Sequence, residues 1–521
     1  MTRMSESVRV MLAKSYSVAP DRGARASRPH PSWEAELPPS RRRTYGIDFA
    51  KTTLTLLASV CLGGLLATGC QTYRSKEREP LEAWRASDVQ TAVQEFSAHA
   101  EREHSKDAII WRLEAGAALR AAGQFEQSTR VFDEAEALID KHEQEAKVRV
   151  GQQVISVLGN PAEMTYVGRT YDKIMLDTYK ALNEMEMGRI DSARVDMIRA
   201  YQRQQDAVTA NAARIERETK EAQAAKPDAQ PMAQSAENDP QVQGKLNDAY
   251  SEIRALPSYG DYVNPFTVYL DGLFFMATAT DASDLQRAQK SLERAAQLSG
   301  NNPYVVQDLQ MIHGMIEGKS ITPTTYVIFE TGVAPVRDQI RIDIPLFIAG
   351  VRDVPYLGAA FPVLRLEGGE LQSLTVSGGG AREAAAPVCS MDSVIAKDFQ
   401  NELPLIITRT IIATVAKAAG AYGVTRVAEE QGGPIAGLLT RIATTATQVA
   451  INIADTRTWT TLPKQFQICR LPTPADRKIV VSSPYGAPQA AFALLDGAVN
   501  VVVVKSILAG GPFEISQFKL K

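Results

Sequence analysis

The stretch that decides the fold of this chain is residues 111–138, WRLEAGAALRAAGQFEQSTRVFDEAEAL. It combines small residues, which let two antiparallel helices approach each other, with large apolar residues that fill the space between them. A glycine at position 123 separates its two halves. The small residues are Ala115, Gly116, Ser128 and Ala135, and the large ones are Leu119, Phe125 and Phe132. The pattern predicts a helical hairpin.

The same spacing recurs twice further along the chain. The second copy has Ala181, Gly188, Ile190, Ala193, Met197 and Ala200, and the third has Gly272, Phe275, Ala288, Leu292 and Ala295. One hairpin cannot bury its apolar face alone, so neighbouring copies must stack. The three copies resemble tetratricopeptide-type helical hairpins, and the resemblance implies a concave groove of the kind that holds extended or helical peptides. An ordinary helical bundle with small residues at its crossings is the alternative.

Between the second and third copies the chain becomes strongly polar. Residues 205–250 are rich in Ala, Gln, Glu and Lys, with Pro227, Pro231 and Pro240 near the centre. This composition predicts two polar helices that project from the stack and join at a flexible tip near 226–240. The segment is either a solvated spacer or a partner-binding arm.

From Thr324 onward, short apolar runs separated by Gly and Pro predict a second kind of domain. Strands are predicted at 326–329, 340–344, 360–366, 478–482, 490–495 and 499–505, and helices at 391–402, 404–421 and 434–454. The predicted fold is therefore α+β and multidomain. A leader and signal peptide occupy 1–69, helical repeats occupy 70–320, and a β-rich α+β domain with a helical hairpin insertion occupies 321–521.

The two longer helices of this last domain are apolar enough to raise the question of membrane insertion. Arg409, Lys417 and Arg441 interrupt them, and each charge would cost about 2.5–3.5 kcal/mol at the middle of a bilayer. A hairpin packed on the sheet is therefore favoured. Insertion of the 404–454 hairpin into a lipid bilayer is the alternative.

The N-terminal region has the features of a targeting signal. An apolar run at 54–68, preceded by Arg41, Arg42, Arg43 and Lys51, ends in the sequence LATGC at Cys70. This resembles a bacterial lipoprotein signal, which implies cleavage before Cys70 and acyl chains, palmitate among them, on that residue. Because several acyl chains anchor a protein stably, the resemblance implies attachment to a membrane. Gln71, where inner-membrane retention requires Asp, favours the outer membrane.

Composition excludes several classes of function. The chain has 57 Lys and Arg and 60 Asp and Glu. Residues 1–69 contain 10 of the basic and 5 of the acidic residues, so residues 70–521 have a net charge of −8. Such a body is a poor partner for nucleic acid. No histidine follows His313, so the last 208 residues cannot supply a histidine-dependent triad or zinc site.

No catalytic, cofactor-binding or metal-binding site is predicted, because the candidate motifs lack the required spacing or context. The P-loop-like residues 314–320 are one residue short and lie after a helix rather than after a strand. His99 and His104 lack any metal-binding spacing. Cys389 and Cys469 are the cysteines left in the mature chain beside Cys70, and either a disulfide or two buried free thiols is compatible with the sequence.

One dense motif stands out, ADTRTWTTLP at residues 454–463. Asp455 and Arg457 can bind each other or backbone groups, and Trp459 can bury a large surface. The motif is either a structural corner that locks a helix to the sheet or a ligand site.

With these segments the chain resembles an uncharacterised family of proteobacterial envelope lipoproteins with tetratricopeptide-like helices. The carrying segments are Asn264 to Gly272, Ile328 to Gly332, Thr408-Arg409 and Asp455 to Pro463. The resemblance implies a non-enzymatic outer-membrane lipoprotein that binds a periplasmic protein, with a link to lipoprotein activators of penicillin-binding proteins and hence to cell-wall assembly. There are two alternatives. One is a peptidoglycan-modifying enzyme without histidine, which an acidic pair lining a cleft would favour. The other is a lipid or secretion accessory that uses the 404–454 hairpin.

Overall fold

The computed structural model describes residues 73–148, 161–225, 227, 230–345, 356–417 and 453–521. These residues belong to one compact unit within Cys70–Lys521. The signal sequence, Cys70 and almost all of the helix predicted at 434–454 lie outside the described residues.

Helices fill the first half of the described chain. In chain order they are α1 (Tyr73–Arg85), α2 (Val89–Arg102), α3 (Ala108–Ala121), α4 (Phe125–Val148), α5 (Thr170–Glu186), α6 (Ile190–Ala225), α7 (Gln230–Glu237), α8 (Pro240–Arg254), α9 (Pro265–Ala277), α10 (Ala282–Leu298) and α11 (Pro303–Ile316). A further helix, α12, covers residues 391–417.

Several helices begin at side chains that cap them. Asn264 accepts hydrogen bonds from the backbone N–H groups of Phe266 and Thr267, and Pro265 occupies the first turn, where no N–H is needed. Asp281 caps α10 in the same way. The polar residue before an apolar run thus fixes where each helix starts.

The three predicted hairpins are confirmed as α3–α4, α5–α6 and α9–α10, each a pair of helices packed along its length. Small residues mark the closest approaches. A side chain on Gly116 would overlap the Phe132 ring, and a Cβ on Gly272 would lie 2.7 Å from Leu292 Cγ. The α+β fold class is confirmed as well, since strands begin at Thr324 after the last repeat helix.

The strands form one mixed sheet, one ribbon and one antiparallel sheet. They are β1 (Thr324–Thr331), β2 (Val336–Pro345), β3 (Tyr356–Arg365), β4 (Thr375–Gly378), β5 (Ala381–Ala384), β6 (Ala386–Ser390), β7 (Gln465–Pro472), β8 (Lys478–Ser482), β9 (Gln489–Ala493), β10 (Val499–Ser506) and β11 (Glu514–Lys519). The five-stranded sheet has the order β11-β10-β1-β7-β6, and β5-β4-β8-β9 form the second sheet, while β2 pairs with β3.

The centre of the five-stranded sheet is its most buried part. β1 and β10 are parallel, with Thr324 opposite Val499, and every residue of both strands is buried. Helices cover one face of this sheet, since the Phe266 ring of α9 stacks on Phe466 of β7 with centroids 3.8 Å apart. The helical repeats and the sheet therefore share a core.

The polar segment 205–250 lies along α12 instead of standing free. Arg214 of α6 pairs with Glu402 at 2.6 Å, and Glu218 pairs with Arg409 at 3.0 Å. Tyr250 of α8 is fully buried against Phe399. The predicted break near residue 403 is absent, because α12 continues through Pro404. No helix in the described part of the chain is long and apolar enough to cross a bilayer.

Cys389 and Cys469 are free, buried thiols in the structure. Of the two alternatives, the structure has two free thiols and not a disulfide. The sheet geometry explains why. Cys389 pairs with Phe466 across β6 and β7, and Cys469 lies three residues further along β7. Side chains alternate between the two faces of a strand, so the two thiols point to opposite faces of the sheet. Burial raises the pKa of each thiol to about 12.

Candidate functional site

The motif at 454–463 packs against the first two helical hairpins and α1, and we call it the crossing segment. It has no regular secondary structure before β7. Its side chains and backbone contact α1, α3, α4 and α5. The surface that these four helices share is thus covered by a segment of the chain itself.

Arg457 fastens the start of the crossing segment. Its side chain is 3% exposed and pairs with Asp455 at 2.7 Å and with Asp107, the residue before α3, at 3.1 Å. It also donates hydrogen bonds to the backbone carbonyls of Pro161 and Met164. Each nitrogen of the guanidinium group therefore donates to a protein oxygen, which gives Arg457 a structural role.

Asp455 completes this clamp. It accepts hydrogen bonds from Arg457 and from Arg169, the residue before α5, the second over 3.4 Å. Burial disfavours the charged carboxylate, but the two guanidinium groups outweigh it and lower the pKa of Asp455 to about 2. The carboxylate is ionised and neutralised, which suits a structural role.

Glu114 of α3 receives the backbone of the crossing segment. The N–H groups of Thr460 and Thr461 donate to its two oxygens over 2.6 and 2.9 Å. The Thr460 hydroxyl lies 2.9 Å from Glu114 and 3.2 Å from Glu77 of α1. A hydroxyl carries one proton, so it can donate to only one of the two carboxylates, and a proton on Glu77 satisfies the other contact.

Trp459 fills the space between α4 and α5. Its ring meets Phe132 and Tyr179 edge-on, with centroids 5.8 and 6.0 Å apart, and its Nε1–H donates to Thr461 Oγ1. The structure thus brings Asp455, Arg457 and Trp459 together as a corner. All three bind protein groups, which matches the structural alternative.

A cavity that sequence reasoning missed lies next to this corner, between the end of α3, the side of α5 and the sheet. Its volume is about 120 Å³. It is lined by Ala117, Arg120, Ala121, Ala122, Gly123, Tyr179, Glu330, Val503, Lys505, Glu514, Ile515 and Ser516. The signal in the sequence is weak, because Glu330 and Lys505 merely interrupt two apolar strands.

Two of the charged groups of the cavity form a buried pair. Lys505 donates to Glu330 Oε2 over 2.9 Å, and Tyr179 donates to the same oxygen over 3.0 Å. Burial alone would raise the pKa of Glu330, but Lys505 and Arg120 outweigh it and hold the pKa below its usual value. Glu330 is therefore an ionised carboxylate, and its other oxygen, Oε1, is buried with no hydrogen-bond partner.

The other two charged groups have no ion-pair partner among the described residues. Arg120 is 6% exposed, donates to the side-chain oxygen of Asn183 and lies over the Tyr179 ring. Glu514, at the start of β11, is half-buried, and burial raises its pKa. The cavity thus presents one unpaired cation and one unpaired carboxyl group beside a neutralised pair.

The remaining motifs of the sequence have ordinary places. Gly318 ends α11 with a φ of 93°, and Lys319 pairs with Glu317. His99 stacks on Trp111, with centroids 4.2 Å apart, and His104 is exposed. Among the residues that the structure describes, no group of His, Cys, Asp and Glu side chains could hold a metal ion.

Neither a protein-family model nor a curated protein matches the chain. Among solved structures, one match is a TPR repeats protein from Bacteroides fragilis NCTC 9343, with 14% identity over 47% of this chain and 98% of that chain and a TM-score of 0.18. Another is a tetratricopeptide repeat protein from Parabacteroides merdae ATCC 43184, with 12% identity over 47% of this chain and 100% of that chain and a TM-score of 0.13. These TM-scores are too low to identify a shared fold, and the hairpins are identified by their own helix pairs.

Proposed function

We propose that this protein is a lipid-anchored, non-enzymatic scaffold of the outer membrane that binds a periplasmic protein. The observation that supports binding is the array of three helical hairpins, because arrays of this kind present extended surfaces to protein partners. The proposed address rests on the sequence around Cys70 and on the resemblance to envelope lipoproteins. Work in cell-wall assembly, beside a lipoprotein activator of penicillin-binding proteins, is the finer part of the proposal.

The crossing segment covers the surface shared by α1, α3, α4 and α5, so we place the partner on α6. There α6 exposes two large apolar side chains, Val195 at 54% and Val208 at 47%. These two side chains are the positions at which we test for a partner.

A peptidoglycan-modifying enzyme is the second candidate, since Glu330 and Glu514 form an acidic pair lining one cavity. The cavity volume of about 120 Å³ is below the range of about 300–1,000 Å³ that is usual for small-molecule sites, so the cavity is small for a sugar ring. The lipid accessory has less support in the described residues, because Leu405, Ile411, Ile412 and Val415 of α12 are buried.

The address is tested by membrane fractionation and intact mass of the native protein. A chain that begins at an acylated Cys70 and fractionates with the outer membrane is expected, and Cys70→Ala should abolish both. Cys61→Ala is the matched control, because Cys61 leaves with the signal peptide. An unprocessed chain in the cytoplasm would refute the address.

The partner site is tested by photo-crosslinking in intact cells. A photoreactive residue at Val195 or Val208 should give the same discrete adduct, whereas Leu508, 40% exposed after β10, serves as a control position. An adduct from Leu508 alone would contradict a partner on α6, and the absence of any adduct would contradict the scaffold.

A further inference from the structure

We propose that the cavity between α3, α5 and β11 binds a small α-amino acid as its zwitterion, with the ligand carboxylate on Arg120 and the ligand ammonium on Glu514. This site is independent of the proposed partner surface on α6.

The charges of the cavity define the ligand. Lys505 and Glu330 neutralise each other at 2.9 Å, which leaves Arg120 and Glu514 as the groups of opposite sign without an ion-pair partner among the described residues. A ligand that bridges them must carry both a negative and a positive group. A simple anion would leave Glu514 unmatched, and a simple cation would leave Arg120 unmatched.

The free donors of Arg120 supply the second observation. Arg120 is 6% exposed, lines the cavity and donates one side-chain hydrogen bond, to the oxygen of Asn183. A guanidinium group has five N–H donors, so Arg120 retains donors for a ligand carboxylate.

The size and the apolar walls restrict the ligand further. A cavity of about 150 Å³ can hold benzene, so the volume of about 120 Å³ suits a ligand of similar size, such as glycine or alanine. Ala117, Ala121, Val503 and Ile515 line the remaining surface, and these residues offer methyl groups to a ligand methyl group.

Calorimetric titration of the full chain with glycine, L-alanine and D-alanine tests the proposal. One-to-one binding with a dissociation constant in the micromolar to millimolar range is expected for at least one of them. Acetate, which lacks the ammonium, and ethylammonium, which lacks the carboxylate, should bind at least about tenfold more weakly, since a hydrogen bond to a charged group is lost. Absence of amino-acid binding, or equal binding of acetate, would overturn the proposal.

Three variants locate the site. Glu514→Gln and Arg120→Gln should each weaken amino-acid binding about tenfold to a hundredfold, and Ala121→Leu should block it by filling the cavity. Glu514 is half-buried at a strand end, so its variant keeps the test valid if Arg120→Gln fails to fold. Glu79→Gln, on the exposed surface of α1, should change nothing. Unchanged binding in Glu514→Gln and Ala121→Leu would assign the amino acid to another place.

The dipeptide alanyl-alanine separates a free amino acid from a peptide end. The dipeptide places its charges further apart than one residue does, so it should bind more weakly than alanine. Stronger binding of the dipeptide would show that the cavity holds a peptide terminus and would overturn the free zwitterion.

Discussion

Arg457 shows how a buried cation holds two parts of the chain together. It contacts Asp107 before α3, Asp455 of its own segment, and the carbonyls of Pro161 and Met164. Its partners come from places up to 350 residues away along the chain. Removing one member of such a network leaves the others buried without compensation, so the cost exceeds that of one ion pair.

Arg457→Ala should therefore lower the free energy of unfolding by about 3–5 kcal/mol, because Asp107 and Asp455 lose their buried counter-charge. Urea titration followed by circular dichroism measures this. Arg341→Ala is the control, since Arg341 and its partner Asp343 are both more than half exposed, and should cost at most about 1 kcal/mol. Equal effects of the two substitutions would show that Arg457 is not a clamp.

The two buried thiols give a second prediction at this scale. Cys389 and Cys469 should not react with a water-soluble disulfide reagent in the native protein, because burial raises their pKa to about 12 and shields them. Both should react once urea unfolds the chain. An intact mass that rises by two hydrogens on reduction would instead reveal a disulfide.

At the scale of elements, the hairpins were predictable and several strands were not. Gly116 and Gly272 predict close helix crossings, and the structure has a close crossing at each of them. The six strands predicted correspond to β1, β2, β3, β8, β9 and β10, which carry continuous or alternating apolar residues. A strand was also expected after the motif at 454–463, and it is β7. The missed strands β4, β5, β6 and β11 are short or rich in polar residues, so only their pairing with neighbours defines them.

The crossing at Gly116 can be tested directly. Gly116→Ala should destabilise the protein by about 1–3 kcal/mol, because the new methyl group meets the Phe132 ring and the helices must separate. Thermal unfolding compared with Gly244→Ala provides the control. Gly244 lies in α8 with open space around it, so its substitution should stabilise by up to about 1 kcal/mol. A neutral Gly116→Ala would mean that α3 and α4 are further apart.

The candidate site was predictable only in part, and the reason is distance along the chain. The motif with Asp455, Arg457 and Trp459 is dense enough to be recognised as a corner. Its receptor groups, Glu77 and Glu114, lie some 346 to 383 residues away, and nothing local marks them. The cavity is likewise assembled from α3, α5, β1, β10 and β11, which only the fold brings together.

At the scale of the whole molecule, buried carboxyl groups make stability depend on pH. Burial raises the pKa of Glu77 to about 8, of Asp177 and Asp398 to about 7 and of Asp308 to about 6. Each of these groups holds its proton more tightly in the folded chain than in the unfolded chain. Their contribution is therefore complete below about pH 4 and is lost as the pH rises through 6 to 8.

We expect the free energy of unfolding to fall between about pH 5 and pH 8, with a slope of up to about 1.4 kcal/mol per pH unit for each such group. Urea titrations across this range measure it. Glu77→Gln should flatten the slope, because glutamine cannot lose a proton. Asp455 acts in the opposite direction, with stability lost as the pH falls through about 2. A stability that rises from pH 5 to pH 8 would contradict this account.

The crossing segment also has a consequence for the order in which the protein can fold. Glu77 and Glu114 are made early in synthesis, yet the Thr460 and Thr461 groups that bind them emerge after more than three hundred further residues. These contacts join residues far apart along the chain and form late, so the first hairpins lack this packing for most of translation. A nascent chain shorter than about 460 residues lacks the Trp459 ring that packs on Phe132 and Tyr179, and such incomplete chains are bound by chaperones and cut by proteases.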